Sequence, residues 1–199
     1  MQIHGPLVIL LLLLTMPGTS SLADDRGIGN DFTLTDQEGR PFRLQQLRGK
    51  VVVLSFGYTY CPDICPTELA AMSRVLDGLG NDADRVQGLF ISLDPQRDTP
   101  GVLKNYLAYF HPRLIGLTGS TESIHEVAGQ YRVRYRKNLR PSGDYSLDHS
   151  ANLYLIDQQG RLASIVPYGL PPEHVLRVVH GMLRPAATAV SEVKPVTDH

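Results

Sequence analysis

Excess positive charge, a cysteine framework and a long apolar span are all missing from this sequence. Its 19 Lys and Arg are matched by 20 Asp and Glu, for a formal net charge of −1. No surplus is available to neutralise a phosphate backbone, so nucleic-acid binding has no electrostatic support. Two cysteines in 199 residues are too few for a disulfide scaffold. The longest apolar run, Leu7 to Leu14, falls well short of the ~20 residues needed to cross a bilayer, even with Thr15 and Met16 added. The composition, 42% hydrophobic and without strong bias, also excludes collagen-like, coiled-coil and disordered chains. What remains is one globular domain of ordinary size.

The apolar run is followed by Pro17-Gly18 and by Ser21-Leu22-Ala23, small residues at a cleavage-like spacing. Residues 1–23 therefore read as a signal peptide or a short membrane anchor, although Met1 to Pro6 carries no Lys or Arg. Either fate places the domain in a periplasmic or exported compartment, free or anchored to the inner membrane through its N-terminus. Such a compartment is oxidising, and a dithiol survives there only if kept reduced or bound to metal. Residues 24–183 are expected to form the domain. Residues 184–199, rich in Ala, Thr, Val and Pro without periodicity, read as a disordered tail.

Phe32-Thr33-Leu34 and Phe42-Arg43-Leu44 flank Asp36-Gln37-Glu38-Gly39 in the pattern of a hairpin. Val51 to Phe56 is β-branched and apolar on both faces, as in a buried central strand. A helix follows over Pro66–Leu79, with Leu69, Met72, Val75, Leu76 and Leu79 at helical spacing. Next come a strand over Val86–Leu93, a helix from Pro100 to about Phe110, a short strand over Leu114–Leu117 and a helix over Ser120–Tyr131. Asn152–Ile156 and Leu162–Val166 form a late hairpin, and Pro171-Pro172 opens a last helix to about Leu183. Strands alternating with helices predict an α/β fold with a mixed central sheet flanked by helices.

The two cysteines lie in Phe56-Gly57-Tyr58-Thr59-Tyr60-Cys61-Pro62-Asp63-Ile64-Cys65-Pro66, between the central strand and the next helix. A bridge between them would close a very small loop and constrain the unfolded chain weakly, so the pair reads as chemical rather than structural. The helix N-terminus favours thiolate. Four helical residues rise about 6 Å, which lets both sulfurs converge on one ion and also permits a disulfide. Two thiolates suit a soft ion such as Cu(I) better than Mg or Ca. Zinc usually takes four ligands and fits less well.

Of the seven histidines, His4 and His199 lie near the ends. His125, His174 and His180 fall on predicted helices, and His111 meets a helix end before Pro112. His149 differs, because it sits in the polar stretch Tyr145 to Asn152, which runs as a loop into the strand Leu153-Tyr154-Leu155-Ile156. In a thioredoxin-type sheet that loop lies against the cysteine loop, so an imidazole there could complete a two-sulfur, one-nitrogen site. Asp148 is a candidate orienting group. A loop histidine that only caps a turn is the competing reading.

At these residues the chain closely resembles the Sco/SenC family, thioredoxin-fold copper proteins associated with cytochrome c oxidase assembly. The likeness spans Phe32 to Leu183 in three blocks: Phe56 to Pro66, Ser92 to Pro100 (Ser-Leu-Asp-Pro-Gln-Arg-Asp-Thr-Pro), and Asp148-His149-Ser150 leading to Tyr154-Leu155-Ile156-Asp157. The resemblance implies a thioredoxin-like fold and assigns Cys61, Cys65 and His149 as ligands to copper, as Cu(I) and also as Cu(II). It implies copper delivery to the binuclear copper site of cytochrome c oxidase subunit II, or reduction of that subunit's cysteines by the Cys61/Cys65 dithiol; other copper proteins are further partners. Many family members keep a full membrane anchor, whereas the apolar stretch here is short.

The alternative function is a thiol-disulfide reductase acting on periplasmic substrates, with Cys61 and Cys65 as its redox-active pair. Against it, the spacing is not C-x-x-C, and Ala151 stands where thioredoxin-like reductases usually carry a cis-proline. A peroxidase would need an arginine beside a hydroxyl such as that of Thr59, and none accompanies it. In the middle block, Asp98 or Thr99 reads as a helix cap with Pro100 in the first turn, and Asp94 and Arg97 read as rim residues for a partner. Tyr58 and Tyr60 are expected to wall the site.

Overall fold

The computed structural model describes residues 28–184. The signal or anchor expected over residues 1–23 and the tail beyond Arg184 lie outside them. In chain order the elements are β1 (Thr33–Asp36), β2 (Pro41–Arg43), β3 (Val51–Gly57), α1 (Ile64–Asp77), β4 (Val86–Ser92), α2 (Pro100–Leu107), β5 (Leu114–Thr118), α3 (Thr121–Gln130), β6 (Tyr135–Leu139), β7 (Tyr145–His149), β8 (Asn152–Ile156), β9 (Leu162–Pro167) and α4 (Pro172–Leu183).

Seven strands form one mixed sheet in the order β2-β1-β5-β4-β3-β8-β9. β3, β4 and β5 run parallel, joined by α1 and α2 as crossovers, while β8 pairs antiparallel with β3. The N-terminal hairpin β1–β2 and the late hairpin β8–β9 supply the sheet edges. β3 is buried along its whole length. Because side chains alternate across a strand, Val52, Leu54 and Phe56 join one core with Leu89, Ile91, Ile124 and Tyr131. Val51 and Val53 face a second core built with Leu69, Met72, Phe90, Leu103 and Val179. α3 thus covers one face of the sheet, and α1, α2 and α4 cover the other.

Local chemistry sets the helix starts. Thr99 caps α2 by accepting from the Val102 amide, with Pro100 in the first turn, and Ser120 caps α3 by accepting from the Ser123 amide. α1 begins at Ile64, two residues before the expected start at Pro66, so Cys65 lies inside its first turn. Proline is tolerated there because the first-turn amides have no intrahelical partner.

Two elements depart from expectation: Tyr135–Leu139, where the sequence suggested no element, is strand β6, and its partner differs as well. Tyr145–His149, read from the sequence as part of a polar loop, is strand β7, and it pairs antiparallel with β6 in a separate two-stranded sheet. Pairing is the physical reason: five backbone positions match in register, from Tyr135 opposite His149 to Leu139 opposite Tyr145. Leu147 anchors the ribbon in the first core.

Candidate metal centre

The C-terminal end of β3 delivers the chain into the cysteine loop, and α1 carries it away. Gly57, the last residue of β3, leaves room for the Cys65 thiol. A Cβ there would stand 2.7 Å from Cys65 Sγ and 2.9 Å from Phe90 Cε2, closer than side chains pack. Cys65 is consequently buried, with 1% of its surface exposed, while Cys61 is partly open to solvent. Both are free thiols.

β7 brings His149 to the same place across 84 residues of sequence, with Nε2 3.3 Å from Cys65 Sγ. Cys61 Sγ accepts from the Cys65 amide at 3.5 Å. The two sulfurs and one imidazole nitrogen all lie within 4.8 Å of one another. With metal–ligand bonds of about 2.0–2.3 Å, the donor atoms around a three-coordinate ion stand roughly 3.5–4 Å apart, so this group is close to the spacing such an ion requires. His149 Nδ1 lies 3.1 Å from the Ser150 carbonyl. A carbonyl only accepts, so Nδ1 carries the proton and Nε2 turns its lone pair toward the sulfurs.

The SCO1/SenC family profile matches residues 20–184. The chain belongs to the SCO1/SenC family. It is 38% identical over 187 residues to an SCO2-like protein of Rickettsia felis, covering 89% of this chain and 90% of that one. It is 45% identical over 137 residues to mitochondrial SCO2 of Saccharomyces cerevisiae, covering 67% of this chain but only 46% of the yeast protein. Among solved structures, Bradyrhizobium japonicum ScoI with copper bound superimposes with a TM-score of 0.74 at 44% identity, over 79% of this chain and all (100%) of that one. BsSco, a member of the Sco family of cytochrome c oxidase assembly proteins in which a disulfide switch was identified, gives 0.64 at 25% identity, over 79% and 94% of the two chains. The fold is therefore the thioredoxin-like fold of Sco proteins.

Burial sets the electrostatics of this Sco site. It is the largest influence on His149 and holds the imidazole below its ordinary pKa, against the Ser150 carbonyl and Asp148, which both raise it. The ring is neutral, as a ligand must be. Burial likewise pushes the Cys65 thiol up, assisted by Cys61 and Glu68 and opposed by a backbone hydrogen bond. The sequence-based expectation of a helix-stabilised thiolate is thus corrected at Cys65: loss of water outweighs the helix N-terminus. The thiol becomes a good ligand when an ion takes the place of its proton.

The middle block ties the cysteine loop to the histidine strand. Asp98 is fully buried and is not a helix cap; Thr99 fills that role. The Asp98 carboxylate accepts from the Thr59 amide at 2.9 Å, from the Thr59 hydroxyl at 2.6 Å and from Ser92. The Thr59 hydroxyl is thereby engaged with the buried Asp98 carboxylate. Asp94 accepts from the Tyr145 hydroxyl at 2.7 Å and pairs with Arg97. The Arg97 guanidinium lies over the rings of Tyr60 and Tyr145 at 4.6 and 3.7 Å from their centroids. These contacts place Asp94 and Arg97 as braces between loop and strand rather than only as rim residues.

Tyr58 walls the site as expected: its ring packs edge-on to His149, and its hydroxyl accepts from the Leu147 amide at 3.3 Å. Tyr60 does not, being 61% exposed beside Cys61. Asp148 does not orient the imidazole; its carboxylate turns outward and pairs with Arg136 at 3.2 Å. The remaining described histidines lie elsewhere, His111 against Asp77, His180 against Asp82, His125 beside Tyr135 and His174 in the first turn of α4. Sequence reasoning missed Glu68, buried three residues beyond Cys65 with no hydrogen bond to Oε1 among the described residues. Its only signal was a charged residue inside the apolar spacing of α1.

Proposed function

We propose that this protein binds one copper ion through Cys61, Cys65 and His149 and hands it to the binuclear copper site of cytochrome c oxidase subunit II. The observation that carries the reading is the approach of His149 Nε2 to the two sulfurs, all within 4.8 Å. Two thiolates and an imidazole form a soft donor set that suits Cu(I) and also accommodates Cu(II). The partly open Cys61 gives an acceptor thiolate a side from which to enter, so that transfer proceeds by ligand exchange while the buried Cys65 and the half-buried His149 stay in place.

A second use of the same thiols, reduction of the cysteines of subunit II, draws support from their free state and from the disulfide switch of BsSco. In that reaction the Cys61 thiolate attacks the substrate disulfide and one substrate thiolate leaves. Cys65 then resolves the mixed disulfide, so that two electrons pass to the substrate and a Cys61–Cys65 disulfide forms. General reduction of periplasmic substrates ranks lower, because three residues separate the cysteines and Ala151 replaces the cis-proline of general reductases. Residues 24–183 are proposed as the working domain, exported and held near the membrane by the N-terminal segment; no helix among the described residues is long and apolar enough to cross a membrane.

Titration of the reduced protein with Cu(I) tests the reading. About one copper per chain is expected, with binding lost in Cys61→Ala, Cys65→Ala and His149→Ala. Full affinity in His149→Ala would remove the third ligand and with it the proposed site.

A further inference from the structure

The chain is nearly neutral overall, yet one basic run lies on the ribbon that carries His149. Between residues 132 and 140 the sequence runs Arg-Val-Arg-Tyr-Arg-Lys-Asn-Leu-Arg, with five basic residues and no acidic one. This segment forms β6 and its flanks, and Arg132, Arg134, Arg136, Lys137 and Arg140 are all exposed. Two of the five are engaged: Arg136 pairs with Asp148, and Lys137 lies over the Tyr145 ring at 3.5 Å. Arg132, Arg134 and Arg140 pair with no carboxylate among the described residues.

The ribbon is not a remote surface, because its second strand ends at His149. A shallow depression of about 290 Å³ lies on the outer side of the imidazole, lined by Arg134, Tyr135, Arg136, Asp148, His149 and Ser150. Nearby, Tyr60 and Ile64, 61% and 37% exposed, present apolar surface on either side of Cys61 in the sequence. An exposed aromatic near the reactive sulfur and a charged surface beyond it resemble the centre and rim of a transient protein interface.

We propose that the β6–β7 ribbon is the electrostatic docking arm for the copper-exchanging partner, and that the partner's matching face is acidic. The proposal rests on the reading of the site as one that passes copper to another protein. Complementary charge steers encounter and fixes orientation more than it adds affinity. A carboxylate drawn toward Arg134, beside His149, would bring the partner's own ligands near Cys61 without occupying the site. An anionic membrane surface would also attract this arm, but it has no ligands to present. Continuity with the metal centre therefore favours a protein face.

The test measures association of the copper-loaded full-length protein with the soluble domain of cytochrome c oxidase subunit II from the same organism, by stopped flow over a range of ionic strength. Copper transfer is followed in parallel, and vesicles of phosphatidylglycerol and phosphatidylcholine serve as the membrane probe. Wild type is compared with Arg134→Glu/Arg140→Glu and with Arg177→Glu, an exposed position on α4 across the sheet. The expected result is an association rate that falls with salt in wild type and drops about tenfold at low ionic strength in the double variant, with copper stoichiometry and the Arg177→Glu rate unchanged.

An unchanged rate in the double variant, with copper still transferred, overturns the docking arm and leaves the copper reading standing. Salt-sensitive association without transfer of copper or electrons supports the arm and overturns the copper reading. Charge reversal that abolishes vesicle binding but not association with subunit II assigns the arm to the membrane and overturns the proposal. No association of wild type with the domain overturns both.

Discussion

Burial decides chemistry at the residue scale, where Cys65, His149 and Glu68 all have their protonation set chiefly by loss of water. For the thiols the consequence is an order of reaction: in the copper-free protein near neutral pH, iodoacetamide is predicted to label Cys61 at least about tenfold faster than Cys65, since only thiolate reacts. Mass spectrometry of timed samples checks it, and equal rates would contradict the burial of Cys65. Glu68 gives a prediction about stability. Burial pushes its pKa from an ordinary 4.5 up to about 7, so the folded state holds its proton more tightly than the unfolded chain does. Its contribution is therefore least unfavourable below the unfolded value, and stability falls as pH rises from about 4.5 to about 7. Glu68→Gln is expected to flatten this slope and to gain on the order of 2 kcal/mol above pH ~8, read by urea unfolding across pH; a slope unchanged in the variant would assign it to other groups. The cysteines and His149 were legible in the sequence because their side chains are few and chemically distinct. Glu68 and Asp98 were not, since a charged residue reads as solvent-facing until its surroundings are known.

The site depends, at the element scale, on two segments that meet only through tertiary contacts, the cysteine loop and the β6–β7 ribbon. Their brace is the set of contacts from Tyr58 to the Leu147 amide and from Asp94 to Tyr145 and Arg97. Tyr145→Phe removes one hydrogen bond to a charged acceptor, worth roughly 1.5–3 kcal/mol. It is predicted to speed amide exchange along β7 and to weaken copper binding severalfold while leaving exchange in β3 unchanged; hydrogen–deuterium exchange read by mass spectrometry distinguishes this from global destabilisation, in which all strands would change together. The ribbon is also where sequence reading fell short. Tyr135–Leu139 has no apolar alternation, and only Leu147 of β7 is buried, so neither strand carries the period-two signal that marked β3. The turn between them, Pro141-Ser142-Gly143-Asp144 with Gly143 at a φ of +82°, was the available cue, since Pro, Ser, Gly and Asp favour turns. Strands made mainly by pairing with each other leave little trace in hydrophobic pattern.

For the whole molecule, the mixed sheet is a rigid frame with a core on each face, and it delivers one loop and one strand end to a common point. Leu54, fully buried in β3, tests the frame: Leu54→Ala is predicted to cost about 2–5 kcal/mol in chemical unfolding, and a loss well below that would place the core elsewhere. The frame was largely readable from the chain because a strand apolar on both faces and helices with apolar stripes record their packing directly. Copper bound only by the folded chain must also stabilise it, by about 2.7 kcal/mol at a free concentration 100 times Kd. The central claim, that Cys61, Cys65 and His149 together hold one ion, is tested most directly by X-ray absorption at the copper edge of the Cu(I)-loaded protein. Two sulfur scatterers near ~2.3 Å and one nitrogen near ~2.0 Å are predicted, distances taken from comparable zinc sites, with the nitrogen shell lost in His149→Ala. A spectrum with no nitrogen shell, or one that His149→Ala leaves unchanged, would contradict the account.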